Sequence, residues 1–261
     1  MGEQQIRSAV LVGTGNVARH LGMALRAAGV EIMQVFGRNA HKARALAKLL
    51  NAKSTDDLNQ LLPHADLILI AVSDDAIAKT AARFPPNQSI VAHTSGFIGM
   101  EVFAPYFKDY GVFYPLQTFS ESRNLDYAGI PFFIEASKPQ TEQALFALAG
   151  RISKSVHLAN SDRRRKLHLA AVFACNFANS MYGIAQDLLE KEGLDFSLLH
   201  PLILETAAKA TQSNPSQVQT GPAKRNDQST IKAHLKILQD SPVYEALYEQ
   251  LTNHIIKKYK P

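Results

Sequence analysis

The chain has 261 residues, of which 46% are hydrophobic and 20% charged, and its formal net charge is +5. This composition is typical of a soluble globular protein and excludes disorder over most of the length. No apolar run approaches the roughly 18–20 residues of a membrane-spanning helix. The single cysteine, Cys175, excludes a disulfide framework and a cysteine-rich metal site. We therefore expect a cytoplasmic protein with no metal site and no membrane contact.

The positive charge suits anionic ligands, but no nucleic-acid reader motif accompanies it, so we expect no nucleic-acid binding. Residues 1–159 alternate short apolar runs with helical patterns. The predicted strands are Ala9–Gly13, Glu31–Phe36, Lys53–Ser54, Asp66–Val72, Ser89–His93, Gly111–Pro115, Pro131–Ala136 and Ser155–Ala159. The predicted helices between them are Asn16–Ala28, Ala40–Leu50, Thr55–Leu62, Asp75–Arg83 and Pro139–Ile152. This alternation predicts an α/β fold of Rossmann type, with a doubly wound, mostly parallel sheet.

After residue 159 the pattern is helical throughout. The predicted helices are Asp162–Glu192, Leu198–Thr211, Ser229–Gln239 and Val243–Lys258. We therefore predict two domains, a Rossmann-like domain over residues 1–159 and a smaller all-helical domain over residues 160–261.

A phosphate-binding turn is predicted between the first strand and the first helix. Its sequence has the form GxGxxA and comprises Gly13, Thr14, Gly15, Asn16, Val17 and Ala18. In such a turn the first glycine permits the tight bend and the second lets the backbone approach a pyrophosphate. The helix N-terminus adds free N–H groups. The motif lies in the strand–turn–helix context that dinucleotide binding requires, although a glycine turn that only packs is the alternative.

The end of the second strand indicates which dinucleotide binds. An NAD site usually has an acidic residue there, but this chain has Arg38 and Asn39. Arg38 can pair with a 2′-phosphate and Asn39 can add a neutral hydrogen bond, so we predict NADP. In the alternative, Arg38 stacks on the adenine and both cofactors bind. The loop Val72-Ser73-Asp74 follows the fourth strand and is expected near the nicotinamide ribose.

These features, together with several further segments, resemble the NADP oxidoreductases that join a Rossmann-like domain to a C-terminal helical domain of unknown function. The further segments are Ala65–Ile77, His93–Gly96 (HTSG), Tyr114–Phe119 (YPLQTF) and Gly221–Asp227 (GPAKRND). More distantly, the chain is similar to the 6-phosphogluconate dehydrogenase-like superfamily, including pyrroline-5-carboxylate reductase, ketopantoate reductase and F420-dependent NADP reductase. The resemblance implies a homodimer built on the helical domain and an active site in the cleft between the domains.

Three residues are candidates for polarising a substrate or moving its proton: His93, His168 and Asn176. An imidazole pKa near 6.5 suits proton transfer at neutral pH. His93 has the alternative role of holding its loop in shape, and His168 and Asn176 the alternative of hydrogen bonding across the domain interface. Cys175, on the same predicted helix, is expected to be a small buried hydrophobic residue.

One departure from the wider superfamily concerns the proton donor. In ketopantoate reductase and hydroxyisobutyrate dehydrogenase, a lysine one turn before an asparagine on this helix serves the substrate carbonyl. If Asn176 matches that asparagine, the lysine position is Val172 in this chain. His168, one turn further upstream, is the candidate replacement.

The substrate contacts expected from the sequence are polar groups in loops. Ser95 and Gly96 are predicted to offer a hydroxyl and a backbone N–H, and Gln117 a neutral hydrogen bond. Arg225 is a candidate clamp for an anionic group, oriented by Asp227. In the alternative these two form a local turn contact, with Asp227 capping the following helix.

The most economical hypothesis is an NADP(H)-dependent oxidoreductase that transfers a hydride between nicotinamide and a small C=O or C=N compound. The cofactor carries the hydride chemistry, and the protein supplies geometry and electrostatics. Two alternatives stay open: hydride transfer between NADP and a flavin or deazaflavin, and a non-catalytic NADP-binding sensor or scaffold. The sequence does not name the substrate.

Overall fold

The structure is a computed structural model that describes residues 5–121 and 123–259. Segments of three to six residues, most of them rich in apolar side chains, form the strands of one sheet. These strands are β1 Ser8–Val12, β2 Glu31–Phe36, β3 Lys53–Thr55, β4 Leu67–Ile70, β5 Ile90–His93, β6 Tyr110–Pro115, β7 Phe132–Ala136 and β8 Val156–Leu158. The strand order is β3-β2-β1-β4-β5-β6-β7-β8, and every neighbouring pair is parallel except β6 with β7. The predicted mostly parallel sheet is therefore confirmed.

Helices cover both faces of this sheet. Those of the sheet region are α1 Asn16–Ala27, α2 Ala40–Leu50, α3 Asp74–Ala81 and α4 Pro139–Gly150. Successive residues of β4 alternate between two buried clusters: Leu67 and Leu69 pack with α1, α2 and α4, whereas Ile68 and Ile70 pack with α3. A strand that is apolar on both faces requires this double cover. The predicted helix Thr55–Leu62 is replaced by the end of β3 and a 3-10 turn, Leu58–Gln60.

The long helix predicted over Asp162–Glu192 is interrupted. Helix α5 runs from Ser161 to Ala171, a π-helical segment follows from Val172 to Phe177, and α6 runs from Ala178 to Lys191. A π-helical turn has more residues than an α-helical turn, so it rotates every later side chain around the axis. Side-chain positions extrapolated from regular α-helical geometry therefore do not hold past Val172.

A buried ion pair joins α5 to the sheet. The Arg164 side chain is fully buried, and its guanidinium pairs with Glu135 on β7. The same guanidinium donates to the carbonyl oxygen of Ile98 at 2.5 Å, in the loop after β5. Glu135 also accepts from the backbone N–H and the hydroxyl of Ser161, both at 2.8 Å. One arginine thus connects a helix, a strand and a loop.

The chain divides into two compact units between Asn176 and Phe177, later than the boundary of 159/160 expected from the sequence. The boundary differs because α5, which the ion pair holds to β7, belongs to the first unit. The second unit contains α6, α7 His200–Gln212, α8 Pro222–Arg225, α9 Gln228–Leu238 and α10 Pro242–Tyr259. Among the described residues, no helix is long and apolar enough to cross a membrane.

We expect Arg164→Met to lower the free energy of unfolding by about 3–5 kcal/mol, because it leaves the buried Glu135 carboxylate without its counter-ion. Urea denaturation measures this loss. The control is Arg163→Met on the same helix, where the side chain is exposed and the change should stay within about 0.5 kcal/mol. Equal stabilities for the two variants would show that the pair does not hold α5 in place.

Candidate functional site

The turn between β1 and α1 brings the backbone close to the end of β4. Gly13 has a φ of +128°, and a Cβ placed there would lie 2.2 Å from the carbonyl oxygen of Ala71. No side chain fits at that position. At Gly15, the N-cap of α1, a Cβ would meet no atom within 4 Å. The first turn of α1 therefore opens onto free space, and its unpaired N–H groups can face a ligand.

This turn forms one end of a cleft of about 520 Å³. The lining residues come from the carboxyl ends of β1, β2 and β4, from α2 and α3, and from the 3-10 turn Leu58–Gln60. They are Gly13, Thr14, Gly15, Phe36, Gly37, Arg38, Asn39, Lys42, Leu58, Ala71, Val72, Ser73, Ala76, Lys79, Thr80 and Arg83. None of these described residues is acidic and four are cationic. The cleft therefore suits a polyanionic ligand with an apolar portion.

Seven of the predicted cofactor residues line this cleft: Gly13, Thr14, Gly15, Arg38, Asn39, Val72 and Ser73. Asn39 also caps α2, because its side-chain oxygen accepts from the Lys42 N–H at 3.0 Å. Its amide NH₂ remains available to a ligand.

The other four predicted cofactor residues do not line the cleft. Ala18 is fully buried and Val17 packs against the core. The Asn16 amide donates to the carbonyl oxygen of Phe119 at 3.0 Å. Asp74 lies in the first turn of α3. Lys79 and Arg83 line the cleft but are absent from the prediction.

A pair of polar side chains, Tyr114 and His168, lies near the carboxyl ends of β5 and β6. The Tyr114 hydroxyl on β6 is 3.0 Å from Nδ1 of His168 on α5. A Cβ on Gly96 would lie 2.6 Å from the same nitrogen and 2.7 Å from Tyr114 Cζ, so glycine is required for this pair to meet. His168 also lines a cavity of about 270 Å³ with Phe97, Arg165, Lys166, Leu169 and Val172.

The Tyr114 hydroxyl keeps its proton over the physiological range. Burial raises the pKa of Tyr114 to about 12; the Arg164 guanidinium opposes this effect and the Asp74 carboxylate adds to it. Asp74 lies at the start of α3, beside Ser73 of the first cleft. The Tyr114–His168 pair therefore lies within electrostatic range of the edge of that cleft.

His93 is fully buried, and its Nδ1 accepts from the Ser95 N–H at 3.2 Å. The pKa of His93 is lowered to about 3, chiefly by burial, with the Arg164 guanidinium acting in the same direction. An imidazole held neutral inside the core is poorly suited to exchange protons with a substrate. The structure therefore favours the loop-shaping role of His93 over the catalytic role also predicted for it.

Two families of known proteins match separate parts of this chain. Residues 7–95 match a family described as "NADP oxidoreductase coenzyme F420-dependent", and residues 130–255 match "Domain of unknown function (DUF2520)". A crystal structure of a "putative NADP oxidoreductase" from Bacteroides fragilis is 41% identical, with a TM-score of 0.92 over 98% of this chain and 100% of that one. The chain belongs to this NADP oxidoreductase family.

More distant proteins share the fold or part of the sequence. An imine reductase from Myxococcus stipitatus in complex with NADP⁺ is 13% identical, with a TM-score of 0.65 over 96% of this chain and 93% of that one. Glutamyl-tRNA reductase from Deinococcus radiodurans is 37% identical over 71 residues. The matched segment covers 26% of this chain and 20% of the reductase. The chain thus spans only about a fifth of the length of this curated relative.

The region around the candidate residue Asn176 is exposed. Asn176 lies in the π-helical segment, and the neighbouring Cys175 is also exposed. The prediction of a buried Cys175 is therefore wrong, because all residues from Phe173 to Phe177 are exposed and no face of this segment is covered. Val172 lines the cavity beside His168.

The structure assigns local roles to the polar groups predicted to bind substrate. The buried Ser95 hydroxyl accepts from the N–H groups of Phe97 and Ile98, at 3.0 and 2.9 Å. The Gln117 side-chain oxygen accepts from the Thr118 N–H at 2.8 Å. These bonds occupy the acceptor groups of both side chains and shape their loops.

Arg225 and Asp227 lie in the helical unit. Arg225 is exposed, at the end of α8. The Asp227 carboxylate accepts from the Thr230 N–H and hydroxyl and from the Ser229 hydroxyl. Bonds to Thr230 and Ser229 lower the pKa of Asp227 to about 2. This geometry favours the alternative in which Asp227 caps α9.

The buried His93 should make the protein less stable in mild acid. The unfolded chain protonates this imidazole near its ordinary pKa of 6.5, whereas the folded chain does so only near 3. Stability is therefore present above pH 6.5 and is lost as the pH falls toward 3. Between pH 7 and pH 5 the expected loss from His93 is about 2 kcal/mol.

Urea denaturation of wild type and His93→Gln at both pH values measures this contribution. The pH 7-to-5 loss should be smaller by that amount in His93→Gln. The exposed His64→Gln serves as the control and should follow wild type. A His93→Gln variant as acid-sensitive as wild type would contradict the assignment.

Proposed function

We propose that this protein is an NADP(H)-dependent oxidoreductase that transfers a hydride between nicotinamide and a small C=O or C=N compound. The observation that carries the proposal is the cleft without acidic residues at the Gly13–Gly15 turn, with the Tyr114–His168 pair beside its edge. Family membership supports the NADP part. The pair of side chains supports the proton-transfer part.

The residues of the cleft fit NADP. The open space at Gly15 admits a pyrophosphate against the N-terminus of α1, where the helix dipole favours negative charge. Arg38 presents a planar guanidinium to a 2′-phosphate, and Lys42 adds a second positive charge on the same wall. Phe36 and Leu58 supply apolar surface for the adenine.

When bound, NADPH supplies the hydride, and the chain's own residues control the proton. The Tyr114 hydroxyl keeps its proton, and its oxygen can accept the Nδ1–H when His168 is in its imidazolium form. The Nε2 proton can then pass to the oxygen or nitrogen of the reacting double bond, which leaves a neutral imidazole. Tyr114 then acts as the positioning residue and His168 as the proton donor.

The surroundings of His168 indicate a weakly polar substrate. Phe97, Leu169 and Val172 contribute apolar surface to the cavity that His168 lines. A valine at position 172 cannot serve a substrate carbonyl as a lysine would. The similarity in fold to an imine reductase supports including C=N compounds in the substrate class.

A second candidate function is hydride transfer between NADP and a deazaflavin. The specific observation in its favour is the match of residues 7–95 to a family described as F420-dependent. That segment contains the predicted NADP turn and covers only the first strands of the sheet. NADPH oxidation that requires an added deazaflavin, and no other acceptor, would identify this function.

We also propose that the protein is a homodimer assembled through the helical unit. Of residues 177–259, only Ala223, Ile231, Leu238 and Thr252 are buried. Large apolar side chains such as Leu198, Leu202 and Leu204 are 62–70% exposed. So small an interior cannot stabilise five helices, whereas a second copy would cover the exposed apolar surface. A monomer in sedimentation velocity would exclude this assembly. The cytoplasmic location stays a prediction.

Cofactor choice is tested by titration with NADPH and NADH, followed by nicotinamide fluorescence. The chain has no tryptophan, so protein emission interferes little. We expect NADPH to bind at least about tenfold more tightly than NADH, a difference of about 1.4 kcal/mol. Arg38→Ala should close most of this gap. If neither nucleotide binds, the glycine turn serves only the architecture and the oxidoreductase proposal fails.

The proton-transfer role is tested on a substrate found by screening C=O and C=N compounds for NADPH oxidation. His168→Gln should lower kcat by about 10²–10⁴-fold, the usual contribution of a general acid, with NADPH affinity unchanged. Tyr114→Phe should give a smaller loss and a shifted pH–rate profile, because it frees Nδ1. Wild-type kcat in His168→Gln would exclude His168 as the donor.

A further inference from the structure

One face of α3 forms a wall of the NADP cleft that the sequence motif did not predict. Ala76, Lys79, Thr80 and Arg83 line the cleft, at the i, i+3, i+4 and i+7 spacing of one helix face. Arg83 lies just past the end of α3, where its N–H donates to the carbonyl oxygen of Thr80 at 3.1 Å. The helical turn thus continues far enough to keep Arg83 on this face.

The two cations of this wall, Lys79 and Arg83, are exposed, and no acidic side chain pairs with either in the described part of the chain. Lys79 and Arg83 have no ion-pair or hydrogen-bond partner for their side chains among residues 5–121 and 123–259. No lining residue of the cleft in that part of the chain carries negative charge. The acidic residues of α3, Asp74 and Asp75, lie in its first turn. Positive charge therefore accumulates in the cleft on the second wall as well as on the first.

Like charges on two walls of one cleft repel each other unless an anion lies between them. The pyrophosphate has its own partner in the turn at Gly13–Gly15. Arg38 and Lys42 on the first wall already face the region beyond β2, where a dinucleotide places its adenosine ribose. All four cations line the same cleft, so they would attract an additional dianion bound in this region. NADP carries such a group at this place and NAD does not.

We propose that Lys79 and Arg83 form the second half of a two-sided clamp for the 2′-phosphate and determine NADP specificity together with Arg38 and Lys42. This inference rests on the proposed function, which assigns the cleft to NADP. It adds the specificity-determining residues on α3, 41 and 45 positions beyond Arg38 in the chain. It also gives a role to two cations that remain unpaired although the first turn of α3 carries two carboxylates.

The test compares nucleotides that differ only in the 2′-phosphate. Dissociation constants for NADPH and NADH are measured with Lys79→Ala, Arg83→Ala and the double variant, and adenosine 2′,5′-bisphosphate and 5′-AMP serve as competitors. Each single variant should weaken NADPH and the bisphosphate about tenfold. Binding of NADH and 5′-AMP should change less than about twofold. The salt dependence of NADPH binding should also become shallower.

Arg44→Ala is the matched control, since Arg44 is an exposed cation on α2 that does not line the cleft. Arg83→Lys should retain most of the affinity. Unchanged NADPH binding in both alanine variants would overturn the clamp, as would equal losses for NADPH and NADH. If Arg38→Ala alone abolishes the preference for NADPH, the proposed function stands and this inference fails. If wild type binds neither nucleotide, both fail.

Discussion

The contact between Tyr114 and His168 depends on the buried ion pair between Arg164 and Glu135. A fully buried guanidinium requires a counter-charge and hydrogen-bond acceptors, and these come from β7, from Ser161 and from the loop at Ile98. The pair therefore holds the first turns of α5 in one position. His168 lies one helical turn further along, so its approach to Tyr114 follows from the same anchor. Arg164 also contributes to the low pKa of His93.

The parallel sheet separates two tasks along a single edge. The ends of β1, β2 and β4 surround the cationic cleft, and the ends of β5 and β6 support Gly96 and Tyr114. Glycine is essential at two of these positions for the same reason, since a Cβ at Gly13 or Gly96 would overlap a neighbouring group. Close backbone packing thus makes the cleft and the Tyr114–His168 contact possible. Under the proposed function, the part of this edge at β1, β2 and β4 holds the nucleotide, and the part at β5 and β6 controls the proton.

Local features of the sequence predicted most of the sheet and the turn at Gly13, because strand patterning and glycine geometry depend on near neighbours. The spacing of Lys79 and Arg83 in the sequence places both on one face of a helix. The sequence does not show that this face meets the cleft, because that depends on how α3 packs against the sheet. The Tyr114–His168 pair joins residues 54 positions apart, which no local pattern encodes. The polar side chains of Asp227 and Ser95 suggested ligand contacts, yet their own backbones compete for the same hydrogen bonds.

Under the resemblance to ketopantoate reductase, Val172 takes the position of a lysine, and under the proposed function His168 is the proton donor in its place. A lysine on the helix would bring a fixed positive charge and a flexible stem. His168 instead has one ring nitrogen next to a hydroxyl on a neighbouring strand, so its orientation is set by the sheet. The π-helical segment begins at Val172, directly after this turn, and leaves His168 as the last polar side chain of α5.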